Sequence, residues 1–394
     1  MNGSFIFWFL VVNIASSTSR GVSLFVINLY AIHLGANAAE LGLIRGLTGF
    51  GILLSVLPVG CLVDHFGAKR FYLLGELGGA LLTVSLLFTV HPAELILRSA
   101  IMGISMAFRF TALQAMFLGE MSRIGSHKAG WYRGSTLLGA VFLGPLLGGY
   151  LVRCSSYQTI FLVTSACMLL SAIPAMLHFH ERRQERPKVL RIPTSERLAG
   201  FWRQLREIMG NRTMLHATIA EGLSSACYAT FSVFVLALAM DRFKLPAHMA
   251  GNVVSAGGAA FIAMVMFGGI LLRTGNYLPR LLGCFGGVIA GLLLLASATS
   301  TFCLLAGTMV LCLSLGLLTL VTFTLVSRVE GQKGRVVGVY ATSTSLGHTV
   351  VPILGGVVGK LFGPQTVFLS LVPVFLLFGV GMYLTDHYQE VLDE

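Results

Sequence analysis

Four arginines stand inside long apolar runs: Arg20, Arg45, Arg98 and Arg109. Two acids do so clearly, Glu76 and Glu221, and one histidine, His348, lies well inside such a run. A guanidinium in hydrocarbon costs about 2.5–3.5 kcal/mol or more, so each of these groups must face protein, a partner charge or a wet cavity. Asn13, Ser17 and Arg20 fall at i, i+4 and i+7, on one helical face. Glu221, Ser225 and Tyr228 repeat that spacing, and Tyr340, Thr344 and His348 follow one another at four-residue intervals. Arg98 and Arg109 are about three turns apart and share a face. A surplus of guanidinium suits a carboxylate, a phosphate or a zwitterion, through paired hydrogen bonds as well as charge. Apolar surroundings favour the proton-bearing form of a carboxyl, which makes Glu221 a candidate proton carrier. The ordinary pKa of imidazole suits His348 to the same task. Plainer roles stand beside these: Glu76 as structural partner of a nearby basic residue, Arg20 as member of an ion pair, and His348 as a packing residue.

Such groups need long elements to hold them. Of the 394 residues 55% are hydrophobic and only 11% charged. The mean hydropathy is +0.83. A soluble surface needs far more charge. Apolar runs of the length that crosses a bilayer recur throughout, giving an all-α membrane protein of twelve spans. They lie at about 5–33, 38–59, 71–90, 95–118, 131–152, 158–178, 214–240, 247–272, 277–297, 301–326, 335–360 and 365–385. No period-2 alternation supports a barrel, and the first run is too long for a signal sequence.

Lysine and arginine set the orientation. With both termini in the cytoplasm, that side receives Lys69, Arg70, Arg123, Lys128, Arg133, nine residues from Arg182 to Arg212, Arg273, Arg280, Arg328, Lys333 and Arg335. The other side receives Arg153, Arg242, Lys244 and Lys360. The net charge of +11 is then mostly positive-inside charge beside anionic lipid, which excludes a nucleic-acid partner. The cysteines show no metal or redox spacing. Neither a nucleotide-binding loop nor a nucleophile elbow is present, so no enzyme, no cofactor and no ATP drive are expected.

The polar segment His178–Arg212 divides the chain into a bundle over 1–178, a cytoplasmic loop over 179–213 and a bundle over 214–394. Within the loop, LAGFWRQLREIM has helical spacing and could lie along the membrane surface. The halves echo each other: Pro145-Leu-Leu-Gly148-Gly149 in span 5 returns as Pro352-Ile-Leu-Gly355-Gly356 in span 11, an offset of 352 − 145 = 207. Repeated halves imply a transporter with its site between them near mid-membrane. The same offset sets Glu221 beside position 14, next to the polar stripe of span 1.

Gly60-Cys-Leu-Val-Asp64-His-Phe-Gly67-Ala-Lys69-Arg70 resembles the loop 2–3 signature of the major facilitator superfamily, with His65 and Ala68 departing from it. The resemblance implies that Gly60, Asp64, Gly67, Lys69 and Arg70 form a conformational latch on the cytoplasmic side. At the matching place of the second half Arg273 replaces the acid. Gly144, Pro145, Gly148 and Gly149 resemble the antiporter signature of the family's exporters, and their small residues suit close helix packing. An acid in span 7 resembles small drug:proton antiporters, although span 10 lacks the second acid they carry. The family's span 4 arginine, linked to proton coupling, could be Arg98 or Arg109.

Together these readings describe a monomeric, proton-coupled exporter of a small anionic or zwitterionic organic molecule, such as a carboxylate-rich metal chelator or an acidic drug. It would work by alternating access in a bacterial cytoplasmic membrane. Asn13, Ser17, Arg20, Arg45, Arg109 and Tyr228 are the candidate substrate contacts, and Glu221, His348 and Arg98 the candidate coupling groups. An uptake symporter for an organic anion and a non-transporting receptor or scaffold are the alternatives.

Overall fold

The computed structural model describes residues 2–124, 129–178, 210–272, 277–328 and 333–393. The segment 198–209, read from sequence for its helical spacing, and Arg273 lie outside them. The described residues are helical with short connections and contain no strand. Twelve stretches are long and apolar enough to cross a membrane. Helices suit that setting because each satisfies its own backbone hydrogen bonds where no water is available.

In chain order the helices are α1 (Asn2–His33), α2 (Ala38–Phe66), α3 (Ala68–Ser85), α4 (Pro92–Ile124), α5 (Ala129–Leu137), α6 (Gly144–Cys154) and α7 (Tyr157–His178). The second half holds α8 (Arg212–Asp241), α9 (Ala247–Phe267), α10 (Tyr277–Ala296), α11 (Thr301–Arg328), α12 (Lys333–Phe362) and α13 (Pro364–Asp393). Polar residues set several ends. Asn37 and Glu40 form a capping box at the start of α2, and the Asn211 side chain accepts from the Met214 amide at 3.1 Å to start α8. Gly67, at φ +96°, makes the sharp turn from α2 into α3, a conformation glycine adopts without penalty.

The fifth span is not one regular α-helix. A π-helical turn, Leu138–Leu143, joins α5 to α6 just before Pro145. Such turns widen a helix and free carbonyls from the regular ladder. Here the Phe142 carbonyl accepts from Ser255 Oγ on α9 at 3.1 Å.

Within the first half α1 packs on α6 and α7, and α4 on α2 and α3; within the second, α8 packs on α11 and α12, and α10 on α11 and α13. The most enclosed spans are those of α8 and α1, 78% and 67% buried, against 33% for α12 and α13. Polar side chains on α1 and α8 are therefore held among helices and not offered to lipid.

The halves join along two seams at the end away from the chain termini. A Cβ on Gly42 of α2 would lie 2.3 Å from the Pro352 carbonyl of α12, and one on Gly251 of α9 2.9 Å from the Pro145 carbonyl of α6. Only glycine allows backbones this close. The two Pro-x-x-Gly-Gly runs divide the work alike. Gly148 faces Phe25 of its own half and Gly355 faces Thr230 of its own, whereas Gly149 meets α9 and Gly356 meets α2 across the boundary. Gly144 serves its own half by pressing on Gly21 of α1. Nearer the termini the packing is looser: a Cβ on Gly60 meets only Thr111 Cγ2, at 4.0 Å, and one on Gly134 meets nothing within 4 Å. Gly60 therefore takes part in no close helix approach among the described residues.

Candidate functional site

Two clusters of ionisable side chains lie inside the protein, one within the first half and one across the boundary. In the first, Glu76 of α3 sits between two guanidiniums. Arg109 Nε of α4 is 3.1 Å from Glu76 Oε1, and Arg20 Nη2 of α1 is 3.8 Å from Oε2. Ser16 Oγ also donates to Glu76. Arg109 reaches Ser17 Oγ at 2.7 Å and Asn13 Oδ1 at 3.3 Å. Arg20 donates to the Gly75 carbonyl and to Ser105 Oγ. Exposure of Arg20, Arg109 and Glu76 is 2%, 0% and 0%. One carboxylate thus answers two cations, and the cluster carries one net positive charge out of water.

The space for this cluster comes from missing side chains. A Cβ on Gly79 would fall 2.4–2.5 Å from the Arg20 guanidinium, and one on Gly75 2.7 Å from the Arg109 backbone nitrogen. Gly79→Ala therefore displaces Arg20 from its acceptors. An unsatisfied buried donor costs about 1–3 kcal/mol, more when charged. Thermal unfolding in detergent should show that loss, and an unchanged midpoint would mean that Arg20 has another resting place.

This placement differs from the expectation that Asn13, Ser17, Arg20 and Arg109 line a wet chamber. All four are buried within the first half. The polar stripe of α1 turns toward α3, α4 and α5, where Asn13 Nδ2 also donates to Ser135 Oγ at 2.7 Å and Thr136 Oγ1 at 2.9 Å. Helical spacing predicted the shared face but not the direction of that face. Arg109 joins the cluster; Arg98 does not. Arg98 bonds Glu94 at 2.6 Å and Thr89 at 2.8 Å, about 16 Å further along α4.

The second cluster centres on Glu221 of α8, which is 4% exposed. Thr322 Oγ1 of α11 donates to Glu221 Oε2 at 2.7 Å, and the Tyr340 hydroxyl of α12 lies 3.2 Å from Thr322 Oγ1. Arg133 of α5, in the other half, brings Nη2 to 4.0 Å from Glu221 Oε1 and rests its guanidinium over the Phe323 ring at 5.2 Å. Arg133 and Thr322 were not among the residues picked from sequence. Arg133 reads there as one more positive-inside charge. A usable signal existed: 340 − 133 = 207, so Arg133 and Tyr340 are repeat equivalents and both attend Glu221.

Arg45 lies on α2, which packs on both α8, the helix of Tyr228, and α12, the helix of His348. The Nε of Arg45 is buried with no hydrogen-bond partner. In the latch sequence, Lys69 Nζ donates to the Met176 carbonyl at the end of α7, 2.6 Å away, and Arg70 is exposed. The side chain of Asp64 is outside the described set. Among the described residues no three His, Cys, Asp or Glu come together as metal ligands.

The sequence model of the Major Facilitator Superfamily matches residues 9–329. An uncharacterized MFS-type transporter of Methanocaldococcus jannaschii is 22% identical over 370 residues, covering 91% of this chain and 92% of its own. Among solved structures, that of the nucleoside transporter NupG aligns with a TM-score of 0.78 at 12% identity, over 96% of this chain and 98% of that one. A bacterial homolog of the human lysosomal transporter Spinster, in an inward-facing and unoccupied conformation, aligns with a TM-score of 0.77 at 13% identity, over 97% and 96%. At these identities the solved structures speak for the fold alone.

Proposed function

The chain belongs to the major facilitator superfamily and is a multi-pass membrane transporter of that family, and from that premise we propose that it is a proton-coupled exporter of a small zwitterionic or anionic organic molecule. The observation that carries this reading is the contact between Arg133 and Glu221, one charge from each half, with the carboxylate almost wholly buried. Ionised Glu221 attracts Arg133 and links the halves part-way along α8, nine residues beyond its first. A proton on Glu221 removes that attraction, while Thr322 stays in place to hydrogen-bond the neutral carboxyl. The seams at the end away from the chain termini and the looser packing near the termini are those of one extreme of a rocking cycle. With both termini cytoplasmic, this state opens inward.

The charges also limit the cargo. Exchange requires that proton and cargo exclude each other. A cationic group on the cargo that rests against ionised Glu221 meets that requirement, with an anionic group elsewhere answering the surplus guanidinium. A zwitterion fits exchange best. The exporter-like Gly144, Pro145, Gly148 and Gly149 support the outward direction, and the protein would work as a monomer in a bacterial or archaeal cell membrane.

A second reading rests on the same pair. When Glu221 carries a proton, Arg133 loses its counter-ion, and a purely anionic cargo could supply one; proton and cargo would then travel together as in uptake. Proteoliposomes separate the two. Under an imposed inward proton gradient, labelled ω-amino acids and organic acids placed inside should leave faster than without the gradient. Gradient-driven accumulation from outside would replace exchange with symport.

A further inference from the structure

Among the described residues Arg45 is the membrane-embedded arginine without a hydrogen bond or ion pair. Arg20 and Arg109 share Glu76, and Arg98 has Glu94. The acid nearest to Arg45 along α2, Glu40, is engaged in capping Asn37. An uncompensated guanidinium within a span lowers stability, so its retention needs a reason other than folding.

Its surroundings supply one. Arg45 sits on α2 beside the glycine seam, in a helix whose Gly49 presses on the His348 backbone of α12. Arg45 stands one turn before Gly49, where a Cβ would lie 2.8 Å from the His348 carbonyl of α12, and α2 also packs on α8, the helix of Tyr228. His348 makes no side-chain hydrogen bond with any described residue, so its ring nitrogens have their valence for a ligand intact. Tyr228 brings a hydroxyl backed by an aromatic cluster, its ring centroid 5.2 Å from that of Phe261 and 6.1 Å from that of Phe231. The helices α2, α8 and α12 pack on one another, so a cation, a phenol and an imidazole stand on three adjoining helices drawn from both halves.

The same helix fixes where the opposite charge lies. Glu221 and Tyr228 are seven residues apart on one face of α8, with Ser225 between them, which separates them by about 10 Å along the axis. We propose that Arg45, Tyr228 and His348 form a carboxylate-binding pole of the transport site, and that the cargo is an elongated zwitterion whose cationic group reaches Glu221 about 10 Å away. This rests on the exchange reading of Glu221. It adds a length: an α-amino acid carries its charges too close together to touch both poles, whereas an ω-amino acid with an extended chain of about eight bonds spans them.

Binding to the purified full-length protein in detergent, with no membrane and no gradient, tests the proposal. The probes are glycine, 4-aminobutanoate, 8-aminooctanoate and octanoate, followed by thermal stabilisation and calorimetry. The wild type should bind 8-aminooctanoate about 10-fold or more tightly than the two shorter amino acids and than octanoate. Arg45→Met should weaken 8-aminooctanoate by about 10- to 100-fold and unfold at the same temperature as the wild type or higher. Arg45→Lys should recover part of the affinity. Equal binding of short and long zwitterions, or undiminished binding by Arg45→Met, would overturn it. A drop of several degrees in the midpoint of Arg45→Met would also overturn it, since Arg45 would then be a structural residue. If exchange alone is wrong, gradient-driven flux fails while these binding differences remain.

Discussion

Glu76→Gln removes the one carboxylate that answers Arg20 and Arg109 and should destabilise the fold by about 3–5 kcal/mol, the usual cost of breaking a buried ion pair from one side. The wild-type cluster already holds two guanidiniums against one acid, at 0–2% exposure. Glutamine keeps the shape and can still accept from Arg109 Nε and Ser16, but it removes the charge at 3.1 Å from Arg109 and 3.8 Å from Arg20. Two uncompensated cations then remain among apolar helices. The unfolding midpoint in detergent should fall by on the order of 10 °C. Arg20→Met in the same chain should restore part of the loss, because it brings the cluster back to one cation and returns a non-additive cycle. A Glu76→Gln midpoint within a degree or two of wild type would mean that the carboxylate does not carry the cluster.

The second large effect is on transport. Glu221→Gln removes the one acid of α8 that faces the other half while keeping an acceptor for Thr322. Gradient-driven flux should drop on the order of 100-fold, the upper part of what a coupling free energy of about 1–3 kcal/mol provides. Arg133 loses its counter-charge as well, so the variant behaves as if permanently protonated. Exchange of labelled for unlabelled cargo should fall as well, because the variant lacks the ionised carboxylate on which the cargo's cationic group rests. Arg133→Gln is the complementary test: ionised Glu221 then no longer draws the halves together, and the pH dependence of the exchange rate should flatten. Full gradient-driven flux by Glu221→Gln would remove the residue from the coupling role, and with it the reading built on the Arg133 contact.

How much of this the sequence shows differs from residue to residue. The twelve spans, the repeat and the signature around Gly60 to Arg70 can be read from hydropathy, spacing and glycine placement. The shared face of Asn13, Ser17 and Arg20 is equally legible, and so is the need of Glu76 for a basic partner. The partner itself is not. Arg20, Arg98 and Arg109 are equivalent on paper, yet Arg109 lies against Glu76 while Arg98 bonds a glutamate one turn away. Arg133 counts as a loop charge until α5 is seen reaching Glu221 across the boundary.

The reason is physical. In lipid a helix is decided locally: enough apolar residues to cross, and a backbone that satisfies its own hydrogen bonds, so order, length and ends follow from composition along the chain. Which way each helix is turned is a collective matter. It depends on how closely neighbours approach, at contacts such as Gly21 on Ala140, Gly144 on Gly21 and Gly42 on Pro352. Rotating α1 by a third of a turn would move Arg20 away from Glu76 without changing any helix. Sequence therefore determined a twelve-helix, two-fold repeated carrier with costly charges inside it. The tertiary packing alone decided that two of those charges share one acid in a buried cluster, that another pairs across the halves, and that Arg45 has no hydrogen-bond or ion-pair partner among the described residues.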